Sequence, residues 1–316
     1  SRMLADLGID SGRVALYGKV DLSTTFPVFY ELQKRIPGIT LAGDVNGEIL
    51  GEAMATKDEN ELERIRRMGR VTTEVVGKAA DLLTSSAVRG GVLLRPDGQP
   101  LTIGDVKGQI DLWLAERGAE NPEGTIFAAG RDAGVPHSSG NPHDVLRLGQ
   151  TIVFDIFPCE AGGGYYYDFT RTWCLGYAPD EVQAAYEHVL SVYQAVMSGL
   201  QTGTAFSHYQ KLACDLFERL GHPTIQSSPD TEEGYVHSLG HGIGLKIHER
   251  PFSRETALEA DVLKPGMVVT IEPGLYYPER GFGVRLENSV AVHSDGRFEV
   301  LADFPMDLVL PVKQAG

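Results

Sequence analysis

A ten-residue pattern occurs twice in this chain and sets the plan of the fold. It reads LRLGQTIVFD at 146–155 and LKPGMVVTIE at 263–272, so a leucine, a glycine and an apolar run recur at the same spacing. Each copy ends in an acid, Asp155 or Glu272, and the next apolar segment carries a second acid, Asp168 or Glu287. Such an internal repeat predicts two similar halves around a pseudo-two-fold axis.

The four acids predict a site for divalent cations. Carboxylates that face one another repel strongly, and divalent cations are the usual remedy. A carboxylate at the end of a buried strand is also costly to bury unless a cation or a hydrogen-bond donor meets it. For the first copy alone, a hairpin with one acid in its turn and one on an exposed face is an equal alternative. The second copy favours the metal site.

Charge and cysteine content restrict the partners. The net charge of −15 argues against binding to nucleic acid or to an anionic membrane, and suits multivalent cations. No apolar run approaches the ~18 residues of a membrane span, and nothing resembles a signal peptide. Cys159, Cys174 and Cys214 lack metal-type spacing, which predicts small buried side chains in a reducing compartment. We therefore expect a cytoplasmic location.

Apolar periodicity predicts a helix–helix–strands arrangement that occurs twice. Residues 1–52 predict a strand–helix–strand fragment of an α/β layer, which leans on the rest of the chain or ends a larger domain. The main domain is expected over 53–316. Further elements are predicted as helices at 53–83, 103–117, 179–200 and 205–220, a hairpin in 85–102, and strands at 126–129, 267–272 and 283–292.

Finer details of the helices are also predicted. Thr56 and Glu59 are expected to form a capping box at the start of the first helix. The same helix is expected to bury a face that ends at Leu82. The last helix is expected to turn four apolar residues inward, namely Leu212, Ala213, Leu216 and Leu220.

Three histidines lie in the glycine-rich segment 236–249, VHSLGHGIGLKIHE. His237 and His241 are four residues apart, as in a helical zinc motif, but the glycines around His241 make a helix improbable. Alternation instead predicts an extended segment in which His241 faces one side and His248 the other. A single histidine is usually a satisfied core or surface residue, whereas three in one such segment favour a functional site.

These residues together carry a resemblance. The acids Asp155 and Asp168 with DFTRT, then GHGIGL and HE around His241 and His248, then TIEPGLY from Thr270 and GVRLEN from Gly283 resemble the pita-bread metallopeptidases of family M24. The resemblance covers roughly 53–311 and implies an α+β pita-bread fold with two pseudo-symmetric halves behind a partial, creatinase-like N-terminal segment. By resemblance the ligands of two divalent metal ions are Asp155, Asp168, His241, Glu272 and Glu287.

The residue types suit the implied chemistry. Carboxylates with one imidazole are compatible with Mn, Co or Zn, and acids that bridge two ions hold a water molecule ready for attack. By resemblance Glu272 also acts as the general base, although a role as ligand only is the alternative. His248 would donate to the substrate carbonyl.

Other positions point to a branch of the family. His137 and His237 match substrate-side histidines of the proline-specific members, prolidase and aminopeptidase P, rather than methionine aminopeptidase. Arg285 is also typical of that branch, where it supports the metal carboxylates or meets the substrate carboxylate. The resemblance therefore implies hydrolysis of Xaa-Pro bonds in small peptides by a homodimer. A structural role is the alternative for both histidines.

Two departures from the family pattern affect the expected substrate. Two residues are inserted in 158–167, which predicts a reshaped turn beside the metals. Asn288 stands where an Asp commonly follows the last ligand, which predicts weaker orientation of that ligand. The alternatives are a pita-bread hydrolase acting on a different small amide, which the longer turn favours, and a non-catalytic binding module. All five ligand positions are filled, which disfavours the binding module and a metal-free, creatinase-like hydrolase.

Overall fold

The chain divides into two compact units, Ser1–Ala53 and Met54–Gly316, in a computed structural model that describes residues 2–18, 20–43, 48–254 and 261–312. The division lies beside the predicted boundary between residues 52 and 53. That the first unit is part of a larger N-terminal domain stays a prediction.

The first unit contains the predicted strand–helix–strand fragment. Its elements are helix α1 (Arg2–Asp6), strand β1 (Gly12–Leu16), helix α2 (Leu22–Arg35), strand β2 (Ile39–Gly43) and helix α3 (Glu48–Ala55), which crosses into the second unit. β1 and β2 pair in parallel, as a helical crossover between two strands requires. The Asp21 carboxylate accepts from the backbone N of Thr24 at 2.9 Å, which caps the start of α2.

The second unit contains the repeat. Its elements are α4 (Glu59–Ser85), β3 (Ala87–Arg89), β4 (Val92–Leu94), α5 (Ile103–Glu116), β5 (Ala119–Glu120), β6 (Thr125–Ala129), β7 (Thr151–Ile156), β8 (Cys159–Glu160), β9 (Phe169–Leu175), α6 (Asp180–Gly199), α7 (Phe206–Arg219), β10 (His241–Gly242), β11 (Glu249–Phe252), β12 (Val268–Ile271), β13 (Gly274–Tyr277), β14 (Phe282–Arg285), β15 (Asn288–Val292), β16 (Phe298–Val300) and β17 (Val309–Leu310).

Two sheets correspond to the two copies of the repeat. The first has the order β17-β9-β7-β6 and the second the order β11-β10-β12-β15-β16. The repeated strands β7 and β12 lie inside their sheets, and each pairs antiparallel with the next long strand, β9 or β15. The structure thus has the predicted two halves and the mixed α+β class.

Each half buries its own pair of helices. In the first half α4 and α5 pack on the sheet through residues such as Ile65, Ile110 and Trp173. In the second half α6 and α7 do the same through residues such as Val189 and Phe217. A buried side chain of this size contributes about 1.5–3 kcal/mol, so each sheet is fixed by a continuous apolar contact. The three cysteines are free and buried, as predicted.

The start of α4 differs from the sequence prediction. The capping box is formed by Asp58 and Glu61, not by Thr56 and Glu59. Thr56 instead forms a bridge with Met267, and the backbone N of Lys57 donates to Gly266 O at 2.7 Å. These pairings keep the chain extended before Asp58, so the helix cannot begin earlier.

Three other predicted details were incomplete or wrong. On α4 the predicted Leu82 packs on the core but is only partly buried, and Leu83 is the fully buried residue at the end of the apolar face. On α7 Ala213 is buried as predicted, Leu212 and Leu216 are partly buried against the same core, and the prediction for Leu220 was wrong because it is exposed; the fully buried residues are Phe206, Tyr209, Gln210, Ala213, Cys214 and Phe217. The predicted strand 283–292 is two strands, because Glu287 pairs its backbone with Thr170 of the other sheet.

The histidine segment is less regular than predicted. Within it only His241, Gly242 and the last residue, Glu249, are in strand conformation, and the pairing of His241 and Gly242 with β11 is irregular. A Cβ on Gly242 would lie 2.1 Å from Arg250 O, so the close approach of β11 requires glycine there. The segment is not helical, as predicted.

Candidate active site

One cavity of about 970 Å³ is lined by every residue that the sequence assigned to the site. These are Asp155, Asp168, His241, Glu272 and Glu287 as ligands and His137, His237, His248 and Arg285 as the remaining residues. Strands of both halves contribute to its wall. The structure therefore brings together residues that lie in four separate stretches of sequence.

Thr170 joins the acids of the two halves. On β9 it lies opposite Asp155 of β7 in the antiparallel register. Its carbonyl accepts from the backbone N of Glu287 at 3.1 Å, and its Oγ1 donates to Glu287 Oε2 at 2.7 Å. Asp155 and Glu287 are therefore positioned by one residue between two sheets.

A second hydroxyl makes the reciprocal contact. Ser289 of β15 donates through Oγ to Asp168 O at 2.9 Å. Thr170 and Ser289 each follow an acid by two residues, Asp168 and Glu287 respectively. In each half, a hydroxyl two residues after an acid thus contacts the acid of the other half. This is the arrangement expected from the pseudo-two-fold symmetry that the repeat predicts.

His241 and Glu272 come from the second sheet. Glu272 follows β12, and its backbone N donates to Leu239 O at 2.8 Å. The backbone N of His241 donates to Thr270 Oγ1 at 3.1 Å. A Cβ on Gly240 would lie 2.0 Å from Thr270 O, so the chain before His241 can approach β12 only as glycine.

The ring of His241 presents a free lone pair to the acids. Nδ1 lies 3.0 Å from Gly242 O, and since a carbonyl only accepts, Nδ1 carries the proton and Nε2 does not. Nε2 lies 3.6 Å from Asp168 Oδ2 and 3.6 Å from Glu272 Oε1, too far for hydrogen bonds. Burial lowers the pKa of His241 to about 3, and His248 adds to this, so the imidazole is neutral.

These donors fit a metal ion. One ligand atom each from Asp168, His241 and Glu287 lies within 4.8 Å of the others. All three residues are buried. Asp155 Oδ1 and Asp168 Oδ1 are buried and make no hydrogen bond within the part of the chain that the structure describes. Buried acceptors without donors, facing a deprotonated imidazole nitrogen, are the surroundings that a divalent cation satisfies.

Burial, and then the repulsion between the carboxylates of the site, raises the pKa values of Asp168 and Glu287. Burial raises the pKa of Asp168, and the charge of Glu287 raises it further. Burial likewise raises the pKa of Glu287, with Glu272 as the next cause. Burial raises the pKa of Glu272 to about 8, although Arg285 works in the opposite direction. One guanidinium is too little positive charge for three buried carboxylates and the partly buried Glu272.

Arg285 and Tyr276 connect Asp155 with His237. Arg285 donates to Asp155 Oδ2 and to the hydroxyl of Tyr276, both at 2.6 Å. The Tyr276 hydroxyl lies 2.8 Å from His237 Nε2, and His237 Nδ1 lies 2.8 Å from Ser238 O. Because a carbonyl only accepts, Nδ1 carries the ring proton and donates it in a hydrogen bond to Ser238 O. Nε2 is therefore unprotonated and accepts from the Tyr276 hydroxyl. Burial lowers the pKa of His237 to about 3, and Arg285 contributes, so both nitrogens of a neutral ring are engaged.

His137 and His248 are the exposed histidines of the cavity. The ring of His248 lies 4.3 Å from the ring of His241, measured between centroids, in an edge-to-face arrangement. His137 follows Pro136, whose carbonyl accepts from Arg285 Nη1 at 3.2 Å. Exposure leaves the imidazoles of both residues open to a ligand in the cavity.

The family model of metallopeptidase family M24 matches residues 63–294. The chain belongs to this family. No helix within the described residues of this M24 chain has the length and apolar character needed to cross a membrane.

Two curated relatives of this M24 chain are Xaa-Pro dipeptidases. The protein from Pyrococcus furiosus is 32% identical over 193 residues, which is 61% of this chain and 51% of that protein. The protein from Pyrococcus horikoshii is 26% identical over 250 residues, 79% of this chain and 63% of that protein. The chain thus spans between half and two thirds of the length of these relatives.

Solved structures show the same fold. A dipeptidase from Pyrococcus horikoshii OT3 superposes with a TM-score of 0.78 at 22% identity, covering 98% of this chain and 76% of that one. An X-Pro aminopeptidase from Thermotoga maritima MSB8 gives a TM-score of 0.76 at 25% identity, covering 98% and 78%. The predicted pita-bread fold is therefore confirmed.

Two positions of this M24 site had no role in the sequence analysis. Thr170 lies in the DFTRT stretch and Tyr276 in the TIEPGLY stretch, so each was inside a recognised motif. Their contacts cross between sheets, or from β13 to the histidine segment, and residue spacing alone does not show them. The available signal was a hydroxyl residue a few positions after a recognised acid, Thr170 after Asp168 and Tyr276 after Glu272.

The two departures from the family pattern have structural explanations. The segment 158–167 folds away from the cavity: β8 pairs with β5, and Glu160 forms a salt bridge with Arg64 of α4. None of these residues, all of which the structure describes, lines the cavity. Asn288 accepts from Arg171 Nη2 at 3.1 Å and donates to the Tyr193 hydroxyl at 2.6 Å, so its amide is satisfied on both sides.

Proposed function

We propose that this chain carries the catalytic site of a metallopeptidase that hydrolyses Xaa-Pro bonds with two divalent ions. The observation that carries the proposal is the buried group of Asp168, His241 and Glu287 inside a cavity open to solvent, in which Asp168 Oδ1 has no donor among the described residues. Such a group does not stabilise the fold, because burying its carboxylates costs free energy that hydrogen bonds within the group do not recover.

Five residues would hold the ions: Asp155, Asp168, His241, Glu272 and Glu287. When bound, divalent ions such as Mn, Co or Zn polarise a carbonyl group and lower the pKa of a water molecule. Asp155 can offer Oδ1, since Arg285 occupies only Oδ2. His241 can offer Nε2 without first losing a proton.

Glu272 is assigned the proton transfer. It accepts the proton of the attacking water and delivers it to the nitrogen that leaves when the peptide C–N bond breaks. Its side chain is 16% exposed, at the cavity surface, and its nearest neighbours include His237 and His241. His248 donates to the carbonyl oxygen as negative charge develops there.

His137 and His237 are assigned to the substrate side, and Arg285 to the support of a metal-binding carboxylate. His137 is exposed in the cavity and free to meet the peptide. For His237 to donate to a substrate through Nε2, its proton must move from Nδ1 to Nε2 and the Tyr276 hydroxyl must turn away. Arg285 supports Asp155 rather than meeting a substrate carboxylate, because its donors are directed to protein acceptors.

Two relatives named Xaa-Pro dipeptidases and a solved X-Pro aminopeptidase support proline specificity. A homodimer and a cytoplasmic location stay predictions. The alternative of a different small amide loses its support, because the inserted segment 158–167 does not line the cavity.

Hydrolysis of Ala-Pro, Ala-Pro-Ala and Met-Ala-Ser by metal-stripped protein, with and without added Mn, Co or Zn, tests the proposal. Metal-dependent cleavage of Ala-Pro alone indicates a prolidase, and cleavage of Ala-Pro-Ala an aminopeptidase P. Cleavage of Met-Ala-Ser only would contradict the proline specificity. Two bound ions without cleavage of any peptide would contradict the peptidase assignment and leave the metal site.

A further inference from the structure

A buried ion pair involves Glu249, the residue that follows the cavity-lining His248. Lys57 Nζ is 2.9 Å from Glu249 Oε2, and the two side chains are 2% and 3% exposed. Burying two charges costs free energy that their attraction does not reliably recover. Burial lowers the pKa of Lys57, with Glu249 acting in the opposite direction. A contact of this kind needs an explanation other than stability.

Glu249 uses both carboxylate oxygens to close the segment before it. Oε2 meets Lys57, and Oε1 accepts from the backbone N of Lys246 at 2.9 Å. Residues 243–248, here called the His248 loop, connect β10 to β11 and end at His248. The carboxylate of Glu249 therefore links the far side of this loop to the start of α4.

The near end of the loop is packed around the same pair. A Cβ on Gly244 would lie 2.6 Å from Glu249 Oε2 and 2.8 Å from Lys57 Cε. The carbonyl of Gly244 accepts from the backbone N of Tyr166 at 2.8 Å. Both ends of the loop thus converge on the Lys57–Glu249 pair, with room only for glycine.

Lys57 is itself fixed by the scaffold. Its backbone N donates to Gly266 O at 2.7 Å, and its Nζ also lies 3.3 Å from Ala55 O. The next residue, Asp58, caps α4. The backbone of Lys57 is therefore fixed by Gly266, and its ammonium group contacts Ala55 O as well as Glu249.

Ile243 at the start of the loop is fully buried, but the part of the loop nearest His248 has little burial to hold it apart from the contact of the His248 ring with His241. Leu245, Lys246 and His248 are exposed, whereas Glu249 is buried. An exposed side chain gains its position from its backbone rather than from packing. For His248 the adjacent buried anchor is Glu249.

We propose that the Lys57–Glu249 ion pair is a positioning device for His248, which it holds at its place in the cavity. Neither residue touches substrate; both act through the His248 loop. The catalytic part of this inference rests on the proposed function, whereas the structural part does not.

Two sets of variants test the inference. Lys57→Met leaves Glu249 buried without its partner, which can prevent folding. The double variant Lys57→Met/Glu249→Met removes both charges, so it is expected to fold while the Lys246 amide loses its acceptor. Lys211→Met is the matched control, because Lys211 pairs with Asp215 on the exposed side of α7.

The first measurement is nitrogen-15 NMR of the histidine rings in metal-stripped protein, with the His248 signals assigned by their loss in His248→Ala. We expect the double variant to shift or broaden the His248 signals and to leave those of His188 and His222 in place. Lys211→Met should change none of them. Unchanged His248 signals in the double variant would overturn the inference, whether or not the protein is a peptidase.

The second measurement is a double-mutant cycle on peptide hydrolysis. Misplacing a catalytic group by about 1 Å can cost about a hundredfold in rate. We expect the double variant to lower kcat at least about tenfold, and to lower it less than about twofold in the His248→Ala background. Equal losses in both backgrounds would overturn the inference. If the wild-type protein cleaves no peptide, the proposed function fails and the NMR result alone decides.

Discussion

Arg285 Nη2 lies 2.6 Å from Asp155 Oδ2, and this contact engages only one of the two carboxylate oxygens. One oxygen is held by a guanidinium that is 3% exposed, while the other, Oδ1, makes no hydrogen bond within the described residues. The guanidinium thus fixes the orientation of a carboxylate whose second oxygen remains free for a metal ion.

Replacing Arg285 with Met should destabilise the protein. The change leaves Asp155 buried without a counter-charge, which typically costs about 3–5 kcal/mol. Urea denaturation of metal-stripped protein measures the free energy of unfolding. Arg280→Met, which breaks an exposed pair with Glu181, should cost less than about 1 kcal/mol. An equally small loss for Arg285→Met would show that Asp155 does not need this partner.

Adding Mn²⁺ to metal-stripped protein should raise its urea midpoint. A ligand that binds only the folded state stabilises it by about 2.7 kcal/mol at a hundred times its dissociation constant. Asp168→Asn should remove most of this gain, because it takes away one of the three clustered ligands. Glu279→Gln, at an exposed acid paired with Arg131, should keep the gain. A full gain in Asp168→Asn would place the ion elsewhere.

Glu272→Gln should lower kcat for Ala-Pro by about 10²–10⁴-fold, the range expected when a general base is lost. Circular dichroism should show an unchanged fold, since the amide has the same shape. Glu279→Gln is the matched control and should keep the wild-type rate. A rate for Glu272→Gln near that of the wild type would exclude Glu272 as the base.

Stability below neutral pH should depend on His222. Its Nε2 lies 2.8 Å from His188 Nδ1, and its Nδ1 lies 2.5 Å from the Tyr277 hydroxyl. Burial lowers the pKa of His222 from 6.5 to about 4, and the charges of His188 and Arg280 add to this. The folded state therefore prefers the neutral ring, and this stability, complete above pH 6.5, is lost as the pH falls towards 4.

The free energy of unfolding should thus fall more steeply between pH 6.5 and 4 in the wild type than in His222→Gln. Urea denaturation at several pH values measures both slopes. His143→Gln, at an exposed histidine, should keep the wild-type slope. Equal slopes for wild type and His222→Gln would contradict the assignment.

Arg171→Met should lower the free energy of unfolding by about 3 kcal/mol or more, because it leaves several buried acceptors without donors. Arg171 is 1% exposed, and burial lowers its pKa to about 10. Its guanidinium donates to neutral oxygens, namely those of Thr170, Glu287, Phe304 and Pro305 backbones and of the Asn288 side chain. Urea denaturation checks this, with Arg297→Met as an exposed control. A loss as small as that of the control would show that water replaces these contacts.

The sequence was informative where the pattern of apolar residues reflects a buried strand. Asp155 and Glu272 end apolar runs of the same length, and the repetition favoured two buried strands of related position. The repeat therefore predicted both the two halves and the convergence of their acids. Family resemblance supplied the order of the remaining positions around the cavity.

The sequence did not predict the residue that caps α4 or the buried Lys57–Glu249 pair, because both depend on contacts between distant parts of the chain. Thr56 and Asp58 both stand three residues before a Glu, and only the pairing of Thr56 with Met267 decides between them. The Lys57–Glu249 pair joins residues far apart in the chain, and neither lies in a pattern that points to the other. Contacts of this kind depend on how the two sheets pack.

The pairing of β17 with β9 has a consequence for synthesis of the protein. β17 comes from the end of the second half, yet it forms the parallel edge of the first sheet through Val309 and Leu310. During synthesis on the ribosome, the β9 edge of the first sheet has no partner strand until residue 310 has emerged. Because unpaired strand edges attract other chains, the interval before the last strand arrives is the period in which a nascent chain is most exposed to aggregation.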